Sequence, residues 1–150
     1  MKTYKKIIFV CDNGTTRAPM AEAILKGQAL ARPVVIESRG LVVLFPEPLN
    51  QKAETVLISN GINMENHMSK QLMPEDLVPE HLIITMEAIQ SQKILEGYPE
   101  AAEVDVRVLT ELVGDELEII NPYGGTLQSY GLCYETLNKT IQKLAVLFNE

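Results

Sequence analysis

Two kinds of apolar pattern alternate along the chain, and this alternation limits the folds that are open to it. Short, β-branched runs predict strands, and longer segments with apolar residues at helical spacing predict helices. The predicted strands cover 4–10, 33–40, 81–86 and 104–109, and the predicted helices cover 19–31, 48–61, 87–98 and 127–148. The segment 69–77 predicts a short helix or turns. Strands that alternate with helices imply right-handed crossovers, so the pattern predicts an α/β fold with a mostly parallel sheet and helices on both faces.

The length and charge of the chain narrow its possible functions. Its 150 residues suit a single domain, 1–150. A formal net charge of −7 argues against nucleic acid as a partner, although a local cradle can still bind phosphate in an acidic protein. The first apolar run is too short for a signal peptide, and no stretch approaches the roughly 18 apolar residues of a membrane span. We therefore expect a cytoplasmic protein with no membrane partner, whose two cysteines stay reduced.

The loop 11–17, with the sequence CDNGTTR, lies between the first predicted strand and the first predicted helix. A helix N-terminus and successive backbone N–H groups together form a binding site for anions. Asn-Gly tolerates the positive φ that such a loop needs, and an arginine adds a planar fork for two phosphate oxygens. A cysteine in this field is favoured as the thiolate, the nucleophile for in-line attack on phosphorus. The loop therefore predicts two catalytic residues, Cys11 and Arg17, and five phosphate-binding residues: Asp12, Asn13, Gly14, Thr15 and Thr16.

The alternative interpretation of these residues is structural. A lone cysteine after an apolar strand is most often a small buried hydrophobic residue. At Cys11 the arginine, the Asn-Gly pair and the strand–loop–helix setting favour the nucleophile instead. Cys133 lies within the last predicted helix, where a core position is expected, and His67 is expected to make a structural hydrogen bond.

The stretch VCDNGTTRAPMAEAI resembles the signature of the low-molecular-weight protein tyrosine phosphatases, in which Cys-x5-Arg is followed by Ser-Pro-Met-Ala-Glu. Similarity extends over nearly the whole chain, through ESRG, HMSKQL, HLIITM and NPYGG. The resemblance implies a three-layer fold with a four-stranded parallel sheet. It also implies hydrolysis of phosphate monoesters through a cysteinyl-phosphate, with no metal and no cofactor. The partner would be a phosphorylated protein or a small phosphate monoester.

The loop NPYGG, at 121–125, is most similar to the bacterial branch of this family. Some members of that branch remove phosphate from protein arginine and carry threonine four places after the cysteine, as Thr15 stands here. The resemblance therefore leaves phosphotyrosine and phosphoarginine open as substrates. Tyr123 in this loop is a candidate for one wall of the substrate slot, and the alternative is an ordinary packed tyrosine.

The sequence departs from the family pattern at positions that matter for catalysis. Asn121 occupies the position of the family's general-acid aspartate, and an amide cannot donate and retrieve a proton. Ala18 replaces a Ser or Thr whose hydroxyl supports the thiolate, and losing a hydrogen bond to a charged group costs about 1.5–3 kcal/mol. Thr15 or Thr16 is a candidate to replace the missing hydroxyl. The acidic residues of 115–118 are candidates to replace the missing acid. The family's Gly-Asn also appears in reverse order, as Asn13-Gly14.

Several functions are compatible with these patterns. The main expectation is a cysteine-dependent protein phosphatase, with slow turnover allowed because Asn121 cannot act as the general acid. The alternative is a degenerate module of the same fold that binds a phosphoprotein or an oxyanion. Arsenate reduction would need further redox cysteines, and a sugar phosphotransfer carrier would need neither Arg17 nor NPYGG.

Overall fold

The computed structural model describes residues 2–150. One sheet contains β1 (Lys6–Cys11), β2 (Val35–Gly40), β3 (His81–Thr85) and β4 (Asp105–Val108), all parallel, in the order β2-β1-β3-β4. The helices are α1 (Arg17–Lys26), α2 (Gln51–Ser59), α3 (Ala88–Gly97), α4 (Leu109–Val113) and α5 (Leu127–Phe148). Two 3-10 turns, Pro74–Asp76 and Pro99–Glu103, complete the regular structure. The expected four-stranded parallel sheet is confirmed.

β1 is the strand around which the two cores form. Its apolar residues are completely buried and alternate between the two faces of the sheet. Ile7 and Phe9 join the larger core, which includes residues of α1, α2, α4 and α5. Ile8 and Val10 join a smaller core with Ile94 of α3 and Ala101 of the second 3-10 turn. Helices therefore cover both faces, and the three-layer prediction is confirmed.

The structure differs from the sequence prediction at two helices. α1 begins at Arg17 rather than Pro19 and ends at Lys26 rather than at residue 31, because the chain leaves the helix at Gly27. α4 was not predicted, since its five residues directly follow β4 and its first residue, Leu109, reads as the end of a strand. The 3-10 turn at Pro74–Asp76 agrees with the short helix or turns predicted for 69–77.

The carboxyl ends of the strands assemble the polar residues of the chain at one edge of the sheet. Cys11 ends β1 and lies opposite Gly40, the last residue of β2. β3 ends at Thr85, two residues before Glu87. Ligands of open parallel sheets bind at this edge, so the fold places the 11–17 loop where a ligand is expected. Among the helices of residues 2–150, none is both long and apolar enough to cross a membrane.

Candidate active site

Cys11 lies at the meeting point of β1 and α1. Its side chain is buried, and the backbone N–H of Ala18, in the first turn of α1, is 3.5 Å from its Sγ. That first turn contains no acidic residue, so the partial positive charge of the helix N-terminus acts on the sulfur without a competing carboxylate in that turn. The hydroxyl of Thr15 donates instead to Asn13 Oδ1 at 2.8 Å, away from the sulfur. The backbone N–H of Ala18 is therefore the hydrogen-bond donor at the sulfur.

The backbone of the 11–17 loop is shaped by a glycine and an asparagine. Gly14 has a φ of +74°, which favours glycine. The Asn13 side chain turns back along the loop, where its Oδ1 accepts from the backbone N–H of Thr15 at 3.2 Å as well as from that residue's hydroxyl. His67 Nε2 donates to the Gly14 carbonyl at 2.9 Å, so this histidine makes a structural hydrogen bond. The reversed Asn-Gly order thus forms a closed loop with its own internal bonds.

A neighbouring strand end fixes the outer side of this loop. A Cβ on Gly40 would lie 2.6 Å from the carbonyl carbon of Asn13 and 2.7 Å from a methyl group of Val43. No side chain fits at that distance, so β2 must end in a glycine for the loop to pack against it. Sequence reasoning identified this glycine only as the end of a strand. Its closest contact is to a residue 27 positions away in the chain, which a local pattern cannot reveal.

Arg17 is buried and held from three sides. Its Nη1 donates to Glu87 Oε2 and to the carbonyl of Ile119, each at 2.7 Å, and its Nη2 lies 3.4 Å from Asp12 Oδ2. The arginine side chain is 2% exposed. A buried charge is tolerated only when it is paired and hydrogen-bonded, and the two carboxylates and the carbonyl meet that requirement. The guanidinium is therefore fixed beside Cys11 before any ligand arrives.

Gln90 connects the two carboxylates that flank Arg17. It is completely buried, and its Oε1 accepts from the backbone N–H groups of Met86 and Glu87. Its Nε2 donates to Asp12 Oδ1 at 3.0 Å and to Glu87 Oε2 at 3.3 Å. Sequence reasoning missed both Glu87 and Gln90. The available signal was an amide at a core-facing position in the first turn of α3, which is an unusual place for a polar side chain.

The NPYGG loop lies at the exposed border of the site. Asn121 Oδ1 accepts from the backbone N–H of Tyr123 at 3.1 Å, so its side chain closes a local turn. The Tyr123 ring is 78% exposed. Of the acidic residues just upstream, Asp115 pairs with Lys143 and Glu118 accepts from the backbone N–H of Ala88, whereas Glu116 is exposed.

A family comparison decides what this arrangement is. Residues 6–150 match the model of the family described as low molecular weight phosphotyrosine protein phosphatase. The chain belongs to this family. The expectation of a cysteine-dependent protein phosphatase is therefore confirmed.

Some relatives of this phosphatase are named tyrosine phosphatases, and others are named arginine phosphatases. The low molecular weight protein-tyrosine-phosphatase PtpB of Staphylococcus haemolyticus is 30% identical over 93% of this chain and 96% of its own length. The structure of YwlE arginine phosphatase from Geobacillus stearothermophilus is 30% identical and superposes with a TM-score of 0.87 over 95% of this chain and 92% of that one. Another YwlE structure, a mutant with a phosphorylated active-site serine, is 28% identical with a TM-score of 0.86, over 95% of this chain and 94% of that one.

The second cysteine of the phosphatase is a core residue. Cys133 is buried on α5, and burial raises the pKa of its thiol to about 11, although the positive charge of Arg17 opposes this change. Its Sγ lies 3.8 Å from the carbonyl of Ile120. A thiol held in this form is a poor nucleophile at neutral pH, in agreement with the core position expected from the sequence.

Proposed function

We propose that this phosphatase hydrolyses phosphorylated side chains of proteins through a cysteinyl-phosphate on Cys11. The observation that carries the proposal is the position of its Sγ at the N-terminus of α1 beside the buried Arg17. The thiolate attacks phosphorus, the bond to the leaving group breaks, and water then cleaves the S–P bond. Backbone N–H groups of Asp12, Asn13, Gly14, Thr15 and Thr16 are the proposed ligands of the phosphate oxygens.

Phosphotyrosine is the substrate that the border of the site supports best. The loop after β2 lies against the 11–17 loop, since the N–H groups of Leu41 and Val42 donate to the carbonyls of Cys11 and Asp12. Apolar side chains are exposed on this loop and on the segment that leads into NPYGG: Val42, Leu44, Phe45, Ile120 and Tyr123. Apolar and aromatic walls on both sides of a phosphate site suit an aryl group, and Tyr123 is the proposed stacking partner.

Phosphoarginine is the second candidate substrate. Thr15 stands where arginine phosphatases of the bacterial branch carry threonine, and relatives named for that activity are as similar to this chain as the tyrosine phosphatases are. In the structure the Thr15 hydroxyl is bonded to Asn13 within the loop. A contact between this hydroxyl and the leaving group would need that bond to break.

Unless another group replaces the acid at position 121, turnover is expected to depend strongly on the leaving group. A positioned acid or base typically contributes about 10²–10⁴-fold, and the amide of Asn121 cannot supply this contribution. Aryl phosphates need the least protonation and should therefore be the best substrates. If no group replaces the missing acid, the protein is the alternative that the sequence also allows, a degenerate module that binds a phosphoprotein or an oxyanion.

The proposed chemistry also bears on the cellular location and the partner of the protein. A thiolate nucleophile needs a reducing compartment, which supports a cytoplasmic location. The net charge of −7 supports a protein or small-molecule phosphate as the partner rather than nucleic acid.

The test measures phosphate release from three substrates: an aryl phosphate, a phosphotyrosine peptide and a phosphoarginine peptide. Cys11→Ser is the blank, and Cys133→Ser is the matched control because it removes the other thiol. We expect release by the wild type and by Cys133→Ser above the blank, with the phosphotyrosine peptide preferred. Where no other group supplies the proton, Asn121→Asp should raise turnover about tenfold or more, because it adds a positioned acid. Wild-type rates equal to the blank on all three substrates would refute the phosphatase proposal.

A further inference from the structure

We infer that Asp12 supplies the proton that Asn121 cannot, acting as general acid and then as general base for the same site. This inference rests on the proposed hydrolysis through Cys11. Asp12 directly follows the nucleophile in the chain, and its side chain is 53% exposed at the open side of the loop. A carboxyl group at that place contacts both Arg17, the proposed ligand of the phosphoryl group, and solvent.

The two oxygens of Asp12 have different surroundings, as a proton-transfer group requires. Oδ1 accepts from Gln90 Nε2 at 3.0 Å. That amide cannot turn over without losing its bonds from two backbone N–H groups, so its NH2 group is the one that faces Asp12. Oδ2 has only the longer 3.4 Å contact to Arg17. A neutral amide therefore fixes one oxygen, while the other remains available to hold a proton.

The other acidic groups near the site are committed to structural contacts. Of the acidic side chains in residues 2–150, two pair with Arg17: Asp12 and Glu87. Glu87 makes the short 2.7 Å pair, so protonating it would leave the buried guanidinium with less compensation. Glu118, in the segment before NPYGG, accepts from the backbone N–H of Ala88 at 2.6 Å. Asp12 is the carboxyl that combines contact with the loop, exposure and a weak partner.

The proposed proton transfer balances over one cycle. The Cys11 thiolate forms the S–P bond, the bond from phosphorus to the leaving atom breaks, and that atom takes the proton of the Asp12 carboxyl group. A water molecule then attacks phosphorus while the Asp12 carboxylate takes one of its protons. The S–P bond breaks, and inorganic phosphate leaves with the thiolate and the protonated carboxyl group restored.

Asp12→Asn tests the inference across a series of substrates whose leaving groups differ in basicity. The amide retains an acceptor for Gln90 but cannot donate and retrieve a proton. We expect kcat to fall about 10²–10⁴-fold for alkyl or weakly activated phosphates, and much less for activated aryl phosphates. The dependence of kcat on leaving-group pKa should become steeper, and the limb of the pH–rate profile that reports the acid should disappear. Glu103→Gln is the matched control, because Glu103 is an exposed acidic residue of the 3-10 turn that precedes β4.

Two further variants keep the result interpretable. Asp12→Ala removes the carboxyl group without placing an amide beside Arg17, and it should show the same steeper dependence. Asn121→Asp in the Asp12→Asn background should restore turnover of the poor substrates, because it returns an acid to the family position. Thiol-dependent wild-type turnover with an unchanged leaving-group dependence in both Asp12 variants would overturn this inference alone. Wild-type rates equal to the Cys11→Ser blank would overturn the proposed function and this inference together.

Discussion

Replacing Gly40 by alanine is expected to damage the active site without touching a catalytic side chain. The new Cβ would lie 2.6 Å from the carbonyl carbon of Asn13, 2.9 Å from its oxygen and 2.7 Å from a methyl group of Val43. Ordinary contact begins at 3.4 Å, so two backbone segments must separate by about 0.8 Å. The side chain of Val43 can turn away, but the backbone of Asn13 belongs to the loop that we propose binds phosphate.

The size of the effect follows from this geometry. Overpacking of this kind costs typically about 1–3 kcal/mol of unfolding free energy. A displacement near 1 Å in a positioning element can reduce the rate about 10²-fold. We therefore expect Gly40→Ala to lower kcat/KM for an aryl phosphate about 10–10²-fold, and to weaken competitive inhibition by inorganic phosphate in parallel.

Gly97→Ala is the matched control for this prediction. A Cβ at Gly97, the last residue of α3, would meet no atom within 4 Å. That variant should retain wild-type kcat/KM and equal or exceed wild-type stability, since alanine is favoured over glycine in a helix by about 0.5–1 kcal/mol. Urea unfolding and steady-state kinetics on both variants complete the test. Wild-type kinetics and phosphate inhibition in Gly40→Ala would refute the claim that the end of β2 fixes the shape of the loop.

Three further predictions follow from charges and burial. Iodoacetamide at neutral pH should modify Cys11 well before Cys133, because burial raises the pKa of the Cys133 thiol to about 11; mass spectrometry of the peptides checks the order. Burial and a hydrogen bond to a carboxylate on β4 raise the pKa of Tyr4 from 10.0 to about 12, so the unfolding free energy should fall as pH rises between these values. Tyr4→Phe should reduce that fall in urea titrations across the same range. Glu87→Gln should lower the unfolding free energy by up to about 3–5 kcal/mol, measured in urea at pH 7, because it removes the closest charge partner of the buried Arg17.

Sequence alone predicts the parts of the molecule whose defining residues lie close together along the chain. The four strands could be located because each is a short apolar run. The 11–17 loop was recognisable because its nucleophile, its glycine and its arginine lie within seven positions. α4 was missed because a five-residue helix is too short to show a helical period.

The supporting residues of the site could not be predicted because they come from distant parts of the chain. Glu87 and Ile119 bind Arg17 across 70 and 102 positions of sequence. Gln90 contacts Asp12 across 78 positions. The contacts of Glu87 and Gln90 exist because β1 and β3 are neighbours in the sheet, so that the loops after them meet. Ile119 follows α4 and joins them because its backbone N–H donates to the carbonyl of Met86. A single sequence shows which residues are suited to such roles but not which of them meet.

The charges around Arg17 affect how an acidic protein can bind an anion at this site. The net charge of −7 spreads over the whole surface, whereas a ligand at Cys11 meets backbone N–H groups and one arginine at close range. Two carboxylates already lie beside that arginine, so a dianionic phosphate adds negative charge to a place where negative charge is present. The backbone N–H groups of the loop are therefore the groups expected to offset this repulsion, because their partial positive charges face an anion at close range.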